Sequence, residues 1–425
     1  MQNKRTIKFF AIIFSLACLF QFSCTVKGGM NIIIEVSEPD IIRSLSGYCA
    51  DTTFNQAIDL TIQRQKSSDE DFVTLFGTAF QELAPHASLA SIFSTMELKD
   101  KIPFNATNDE VLRVLRSESD DAISKSYNIL RSRIDRFGVG RPNIQQLQTP
   151  GRILMELPGV KDPDRVRKLL QTMGRLEFWE TYSFADPEIL SAVEGANNML
   201  RNMQALQEET TPTEDTLQQL DNEYEYTFEQ YAKDHPLYAY LQPSTYQNEQ
   251  GQTMVHPSAT IGYSHIKDTA RVNKMLASVS NLFPRNLKMM WTVKPERQDS
   301  YTLSLIAIKA TTRDGSPRVT GEVITNARQD VDHVSGSPNV SMSMNAEGSR
   351  IWKQMTHDNI GKQIAIVLDG YVYSYPYVNM EISGGQSSIS GGNMTIEEAQ
   401  DLANILKSGE MPVPVRIIQE TIIVP

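Results

Sequence analysis

Alternating and periodic apolar positions predict that the first part of the chain contains strands separated by helices. Met30–Val36 reads MNIIIEV, a run of β-branched residues that is typical of a strand. Apolar residues at helical spacing follow, as in the stretch FVTLFGTAFQEL at residues 72–83. The pattern therefore predicts several short amphipathic helices between residues 53 and 98.

A long helix is predicted from Thr107 to Phe137. Thr107 and Glu110 have the spacing of a capping box, and Gly138 is a typical C-terminal stop. One apolar stripe at helical spacing comprises Ile123, Tyr127, Leu130, Ile134 and Phe137. Charges of alternating sign in the last turns, which favour a solvated face or local ion pairing, are carried by Arg131, Arg133, Asp135 and Arg136.

After this helix the apolar period changes from about 3.6 residues to about 2. The pattern predicts, in order, a strand at 143–147, a turn at 149–151, a strand at 152–157 closed by Pro158 and Gly159, a helix at 162–173 and a strand at 175–181. The order from residue 30 to 181 is then β, α, β, β, α, β. Such an order indicates a ferredoxin-like split βαβ arrangement, an antiparallel sheet with two helices on one face. We therefore expect an α+β protein with a base of this kind at residues 27–182.

Two further regions follow the predicted base. Residues 183–310 join helical patterns to an acidic piece rich in Gln and Tyr at 214–249, which indicates an insertion with its own helices. A solvated spacer is the alternative for its polar middle. Residues 311–410 predict a second compact unit, an α/β head.

The predicted head has a regular succession of elements. They are a helix at 323–330, a half-buried strand at 339–344, a helix from Asn345 that carries Ile351, Trp352 and Met355, a glycine-rich stretch at 382–392, and a capped helix from Thr395 to Lys407. Residues 411–425 predict a closing strand, whose apolar pattern fits a return to the first sheet.

Asp369 is the most conspicuous candidate for chemistry. It ends the apolar run of GKQIAIVLDGYVYSYP at residues 361–376, as a strand-end nucleophile or metal ligand would. The alternative is a hairpin turn, because Asp369 and Gly370 lie between two apolar runs and type I′ turns need positive φ at both central residues. A second strand follows at once, which favours the turn.

Other stretches that resemble enzyme or cofactor motifs lack a required residue or the required spacing. The stretch SGGQSSISGG has no lysine, so it is not a P-loop, and Gly138 with Gly140 lacks the third glycine of a dinucleotide site. The six histidines include no pair at metal-binding spacing, and a G-x-S-x-G elbow is absent. We therefore expect neither catalytic activity nor a metal or cofactor. The net charge of −11, without basic clusters, also argues against nucleic acid as a partner.

The N-terminal 26 residues predict a membrane anchor or an export signal. Lys4, Arg5 and Lys8 precede the apolar run FFAIIFSLACLF at residues 9–20, which is short for a spanning helix unless it extends to Val26. Either alternative places the following chain outside the cytoplasm. The three cysteines form no CxxC pair or disulfide framework, but Cys24 is a candidate for lipid modification after signal cleavage.

Several ordered motifs resemble the first periplasmic region of SecD, a membrane subunit of the bacterial Sec protein-export machinery. They are KGGMNIIIEVS near residue 27, RSRIDRFGVGRPNIQQLQTPGRILMELPGV at 131–160 and GSRIWKQMTHDNIGKQIAIVLDGYVYSYP at 348–376. The glycine-rich ISGGQSSISGG and a helix ending in L-x-S-G at Leu406–Gly409 complete the resemblance. The motif positions selected are Lys27, Gly28, Gly29, Arg133, Gly138, Pro158, Gly159, Asp369, Gly370, Gly384, Gly385 and Gly391.

The resemblance implies a fold, a location and a set of partners. A ferredoxin-like base and a protruding head would lie on the periplasmic side of the bacterial inner membrane. The head would hold unfolded secretory preproteins that emerge from the SecYEG channel, with SecF as a further partner and proton flow as the power source. The family continues into further membrane helices, so the chain is expected to be the N-terminal part of a SecD or of a fused SecD–SecF chain.

Binding of preproteins is expected to use exposed apolar groups and strand edges of the head. The candidates are Tyr371, Tyr373, Tyr375 and Tyr377, and the alternative is that these tyrosines pack against a head helix. A second hypothesis for the whole chain is a periplasmic lipoprotein with a ligand-binding role, attached through Cys24.

Overall fold

The computed structural model describes residues 28–68, 70–209, 227–295, 300–332, 336–391 and 394–423, which form a mixed helix and strand structure. The N-terminal apolar segment, Cys24 and Lys27 lie outside these residues. The helices are α1 (Glu38–Leu45), α2 (Thr52–Gln65), α3 (Phe72–Leu83), α4 (Ala90–Phe93), α5 (Asn108–Phe137), α6 (Pro163–Gln171), α7 (Pro187–Glu209), α8 (Phe228–Asp234), α9 (Thr269–Ser278), α10 (Ala346–Asp358) and α11 (Ile396–Ser408).

The strands have between two and nine residues. They are β1 (Gly29–Val36), β2 (Asn143–Gln146), β3 (Arg152–Pro158), β4 (Leu176–Thr181), β5 (Gln242–Pro243), β6 (Thr245–Gln247), β7 (Thr253–Val255), β8 (Thr260–His265), β9 (Leu287–Trp291), β10 (Thr302–Lys309), β11 (Val319–Thr320), β12 (Ile324–Val331), β13 (Pro338–Met344), β14 (Ile364–Leu368), β15 (Tyr371–Ser374), β16 (Gln386–Ile389) and β17 (Val415–Ile423).

The chain divides into two compact units. Unit 1 comprises residues 1–172 together with 411–425, and unit 2 is the continuous stretch 173–410. Each unit has its own hydrophobic cores, so each is described separately. Among the described residues, no helix is both long enough and apolar enough to cross a membrane.

Unit 1 contains a four-stranded antiparallel sheet in the order β17, β1, β3, β2. The closing strand pairs with the first one, with Gly29 opposite Ile423 and Val36 opposite Val415. Arg167 of α6 donates to both carboxylate oxygens of Glu420 at 2.7 Å, which ties α6 to the closing strand. Residues 415–423 of the predicted closing strand thus lie in the first sheet, as expected from the sequence.

The sequence assigned the wrong strand to this sheet. Residues 175–181 were expected to complete the base, but β4 lies in unit 2, where it pairs with β14 over five residues from Leu176 to Glu180. Both faces of β4 are buried: Phe178 belongs to one core and Trp179 to another. The local pattern indicates a strand, but its partner β14 is distant in sequence, so no local signal identifies the sheet to which β4 belongs.

The helices between β1 and α5 build a separate core in unit 1. Phe54 of α2 contacts Phe76 and Phe93 edge to face, with ring centroids 5.9 and 5.8 Å away. All three rings are fully buried, so this segment supplies much of the apolar burial of unit 1. The helices predicted between residues 53 and 98 are therefore present and packed together.

The long helix α5 has the ends that the sequence predicted. Thr107 and Glu110 form a reciprocal capping box, and Gly138 ends the helix in the left-handed conformation with φ 85°. Leu130 and Ile134 of the predicted stripe are fully buried. Both signals are local, which is why the sequence alone contains them.

Unit 2 is organised around a closed ring of five strands. β15, β14, β4, β10 and β9 pair in that order, and Val293 N donates to Val372 O at 2.9 Å to join β9 back to β15. Buried side chains of alternate residues fill the ring: Trp179, Ile306, Ile308, Ala365, Val367 and Val372. The ring strands therefore bury side chains on both faces, and two further cores pack outside the ring.

The region 183–310 is not the helical insertion that was expected. It contains α7 and α9, but also β8, β9 and all of β10, which pair within the sheet of unit 2. The expected boundary at residue 310 therefore falls just past the end of β10, inside unit 2. Residues 214–226 of the acidic polar piece lie outside the described residues.

The second sheet of the head has three strands in the order β12, β13, β16. Its apolar face, with Ala327, Val340 and Met342, packs in one core with Leu402 of α11 and Trp352 of α10. The helix predicted at 323–330 was wrong, because residues 324–331 form β12. The strand at 339–344 and both head helices were predicted correctly.

Candidate functional site

Asp369 has a structural role at the tip of the β14–β15 hairpin. Asp369 and Gly370 have φ values of 52° and 82°, so both central residues of the turn are left-handed, as a type I′ turn requires. The Asp369 carboxylate accepts hydrogen bonds from the backbone N–H groups of Gly174 at 3.0 Å and Arg175 at 2.8 Å. Its oxygens are thus used to hold the residues that lead into β4.

The four candidate tyrosines do not form one surface. Tyr371 and Tyr377 are 52% and 48% exposed, so they are accessible. Tyr373 packs against the head core, and burial raises the pKa of its hydroxyl to about 12, with smaller contributions from Asp369 and Glu398. The alternative interpretation, packing against the head, therefore applies to Tyr373.

Tyr375 is also built into the structure. It packs against the core inside the strand ring, and its hydroxyl accepts a hydrogen bond from Thr260 Oγ1 at 3.3 Å. Tyr371 and Tyr377 are therefore the more exposed of the four tyrosines, and each lines a different cleft.

Tyr371 lines a cleft of about 840 Å³ between β9, the end of α9 and the hairpin tip. We call it the β9 cleft, and its lining includes Leu276, Phe283, Leu287, Met289 and Tyr371. Phe283, Leu287 and Met289 are half-buried, so apolar surface remains open at the cleft, and Arg285 adds a positive charge at the rim. Trp291 donates its Nε1–H to Asn273 Oδ1 at 2.9 Å, which fixes one wall.

Tyr377 lines a second cleft of about 690 Å³ with a different character. Its lining is charged and polar, with Lys309, Lys362, Asp186 and Glu188. The Tyr377 hydroxyl donates to Pro257 O at 3.1 Å, so part of its hydrogen-bonding capacity is already used. An apolar segment would fit the β9 cleft better than this one.

Sequence reasoning missed most residues of the β9 cleft. Residues 273–291 were assigned to a helical and polar insertion, although LKMMW at 287–291 is an apolar run of strand length. It also missed Gln363, whose side chain accepts from Ala259 N at 2.7 Å and donates to Tyr375 O at 3.0 Å. Gln363 is buried and joins two loops of unit 2, which no local pattern indicates.

The glycines of the head motif allow the chain to bend on either side of β16. Gly384 and Gly385 precede β16 and Gly391 follows it, as expected for bends around a short strand. At Gly385 φ is 68°, a left-handed conformation, and a Cβ would clash with the Ser349 side chain, so glycine is favoured there. In unit 1, β1 begins at Gly29 and β3 ends at Pro158 opposite it, and the flanking Gly159 N donates to Gly28 O at 2.6 Å.

Arg133 contradicts the prediction of a solvated face. Its side chain is completely buried in unit 1, and its Nη1 donates to the carbonyl oxygens of Leu169, at 3.0 Å, and of Thr172. These carbonyls lie at the C-terminal end of α6, where helix carbonyls lack intrahelical partners and the helix dipole favours a positive charge. Arg131 and Asp135 do form the expected local pair, at 3.9 Å.

The described residues contain no group of three or more His, Cys, Asp or Glu side chains that could hold a metal ion. Asp369 is engaged with backbone donors. What the described part of unit 2 does offer is open apolar surface and strand edges. In other proteins, features of this kind mark interaction sites, and exposed strand edges can take up extended peptides.

Two family models match the chain. The model "SecDF, P1 head subdomain" matches residues 306–413, and "Protein translocase subunit SecDF, P1 domain, N-terminal" matches residues 123–183. Among curated relatives, the protein translocase subunit SecD of Rhodothermus marinus is 37% identical over 412 residues, which is 94% of this chain and 62% of that protein. The SecD of Calditerrivibrio nitroreducens is 24% identical, over 97% of this chain and 65% of that protein.

A solved structure is similar as well. A crystal structure of SecDF in a super-membrane-facing form has 20% identity and a TM-score of 0.40, covering 99% of this chain and 35% of that one. The chain thus spans less than two thirds of the length of these relatives, and the assignment to a family rests on the sequence matches.

Proposed function

Because the chain belongs to the SecD/SecDF family of protein translocase subunits, we propose that it holds preproteins during export. In this proposal unit 1 is the ferredoxin-like base, and residues 311–410 with their neighbouring strands form the head. SecF and the SecYEG channel are the partners, and the periplasmic side of the bacterial inner membrane is the location. In the complete protein the proton motive force would drive the head, and neither part would be an enzyme.

The observation that carries the proposal is the β9 cleft. Its apolar lining is open to solvent in part, and Met289 and Tyr371 bring side chains that adapt to different apolar groups. Preproteins in transit are unfolded and differ in sequence, so their holder needs adaptable rather than specific contacts. The incomplete burial of the cleft also favours weak binding, which allows release.

Site-specific photo-crosslinking tests the proposal. A photoreactive phenylalanine analogue is placed at Tyr371 or Met289 of the full chain in membranes that contain an export-arrested preprotein. The matched control is the same analogue at Tyr301, which is 70% exposed and outside the cleft lining. We expect adducts at the two cleft positions and none at Tyr301.

Two other results would decide against the cleft. Equal adducts at all three positions would indicate nonspecific contact. Adducts at a photoreactive residue in place of Tyr377, but not at Tyr371, would move the site to the charged cleft. The lipoprotein hypothesis gains nothing from the structure, since Cys24 lies outside the described residues and the curated relatives quoted above are translocase subunits.

A further inference from the structure

The strand β12 forms one edge of the three-stranded sheet in unit 2. The sheet order is β12, β13, β16, and within the described part of the chain no strand pairs with β12 on its outer side. β12 has eight residues, ITNARQDV, without the proline or lysine that often protects an edge. A bulge between Ile324 and Asn326 interrupts the ladder at its beginning.

The hydrogen-bond pattern identifies which backbone groups face outward. Asp332 N donates to Ser337 O at 2.9 Å, so this opposed pair is hydrogen-bonded. Hydrogen-bonded pairs alternate along an antiparallel ladder, so Asp330 and Arg328 also bond to β13. The backbone groups of Ala327, Gln329 and Val331 then point away from the sheet.

Most of this outward row remains available. The Asp330 carboxylate accepts from Val331 N at 2.9 Å, which occupies one donor. Within the described part of the chain, the N–H groups of Ala327 and Gln329 and the carbonyls of all three residues have no backbone partner and are left for another strand. The row covers five residues, from Ala327 to Val331, and is about 17 Å long at the usual rise of a strand.

We propose that β12 takes up an extended segment of unfolded polypeptide as an added strand. The inference rests on the proposed function and states how the preprotein is recognised. Main-chain hydrogen bonds do not depend on side-chain identity, so an edge strand can hold many sequences. The open row of donors and acceptors matches an extended chain, whereas a folded partner presents few free backbone groups.

The decisive variant is Gln329→Pro, with Gln329→Ala as its matched control. Proline removes the outward N–H and places its ring on the outer side, while the ladder bonds of Arg328 and Asp330 to β13 remain. Alanine changes the side chain but keeps the N–H. Unchanged thermal unfolding of both variants, followed by tryptophan fluorescence, shows that unit 2 is folded.

The probe is a fluorescent ten-residue peptide of alternating Thr and Val with Lys at both ends. Its counterpart is N-methylated at five central amides. Binding to the detergent-solubilised full chain is followed by fluorescence anisotropy. We expect equal affinity for wild type and Gln329→Ala, and an affinity about tenfold lower for Gln329→Pro and for the methylated peptide, since each loses backbone hydrogen bonds.

Two results would overturn strand addition: equal affinity of Gln329→Pro and Gln329→Ala, or no binding of the unmethylated peptide to wild type. The preprotein crosslinks at Tyr371 and Met289 are read separately in the same variants. Crosslinks that persist while the peptide result is negative would leave the holding function intact and reject only the role of β12. A negative peptide result together with the absence of preprotein crosslinks in the wild type would reject both the role of β12 and the holding function.

Discussion

Asp369 and Arg175 bind each other through two hydrogen bonds: Arg175 N donates to Asp369 Oδ1 at 2.8 Å, and Asp369 N donates to Arg175 O at 3.0 Å. Gly174 N adds a third bond to the carboxylate, at 3.0 Å. The hairpin tip and the entry to β4 are therefore one structural element of unit 2, although nearly two hundred residues separate them in sequence.

Replacement of Asp369 should destabilise unit 2 without any loss of chemistry. Asp369→Ala leaves two backbone donors without their acceptor and introduces a residue that tolerates positive φ poorly, so we expect a loss of about 2–3 kcal/mol. Asp369→Asn keeps an acceptor oxygen and tolerates the left-handed conformation, so it should cost about 1 kcal/mol. Urea unfolding followed by tryptophan fluorescence measures both.

The fluorescence signal is specific, because the three tryptophans, Trp179, Trp291 and Trp352, all lie in unit 2. A larger loss for asparagine than for alanine would contradict the role assigned to the carboxylate oxygen.

Removal of the buried charge of Arg133 should destabilise unit 1. Arg133→Met keeps the apolar volume but leaves the Leu169 and Thr172 carbonyls without their donor, so we expect a loss of about 2–4 kcal/mol. The stability of Arg133→Lys should lie between those of the wild type and Arg133→Met, since an ammonium group cannot reproduce the planar guanidinium. Hydrogen exchange of the amides in α6 reports the effect.

The control for the two Arg133 variants is the unfolding transition of unit 2, followed by tryptophan fluorescence, which should not change. Equal exchange rates in wild type and Arg133→Met would show that the buried arginine contributes little to unit 1.

Glu38, at the start of α1, should make unit 1 less stable as the pH rises. Burial raises the pKa of its carboxyl from 4.5 to about 7, and Asp71, Asp120 and Glu35 add repulsion, while a hydrogen bond with Gln65 opposes the shift. A raised carboxyl pKa means that the folded state favours the proton. The stabilising contribution is complete below about pH 4.5 and is lost as pH rises through about 7.

The variant Glu38→Gln should therefore stabilise unit 1 by about 1–3 kcal/mol at pH 8 and by almost nothing at pH 4. Urea unfolding followed by far-UV circular dichroism at both pH values tests this. Asp59→Asn is the control, since Asp59 lies on an exposed part of α2. A stabilisation that is the same at both pH values would contradict the titration of Glu38.

Substitutions of Tyr371 and Tyr373 should distinguish a loss of preprotein binding from a loss of stability. Tyr373→Ala removes a ring from the head core and should destabilise unit 2 by about 2–4 kcal/mol. Tyr371→Ala removes an exposed ring and should change stability by less than about 0.5 kcal/mol, while it weakens preprotein crosslinking from Met289. Tryptophan fluorescence and the crosslinking assay give the two readouts, and unaltered crosslinking in Tyr371→Ala would exclude this side chain from the cleft's role.

The features that sequence predicted well have local causes. The capping boxes at Thr107 and Thr395 and the Asp369–Gly370 turn depend on residues within three or four positions of one another. Their chemistry can therefore be identified from a short stretch of sequence. For the same reason Asp369 could be recognised as a turn residue before its distant partners were known.

The errors came from tertiary partners that are distant in sequence. Residues 324–331 have a spacing that suits a helix, but the antiparallel ladder with β13 makes them a strand. Arg133 is hidden because the carbonyls that receive its hydrogen bonds lie 36 and 39 residues later. The β9 cleft was missed because its apolar residues lie in a stretch that the sequence assigned to a polar insertion.

The pairing of Gly29 with Ile423 has a consequence for the order in which the chain folds. The central sheet of unit 1 cannot be completed until its last strand has been made, whereas unit 2 is one uninterrupted stretch and has all its strands earlier. Contacts between distant residues form slowly, because a long loop must be closed first. Unit 1 therefore remains incomplete for the longer time, with the edge of β1 unprotected until β17 pairs with it.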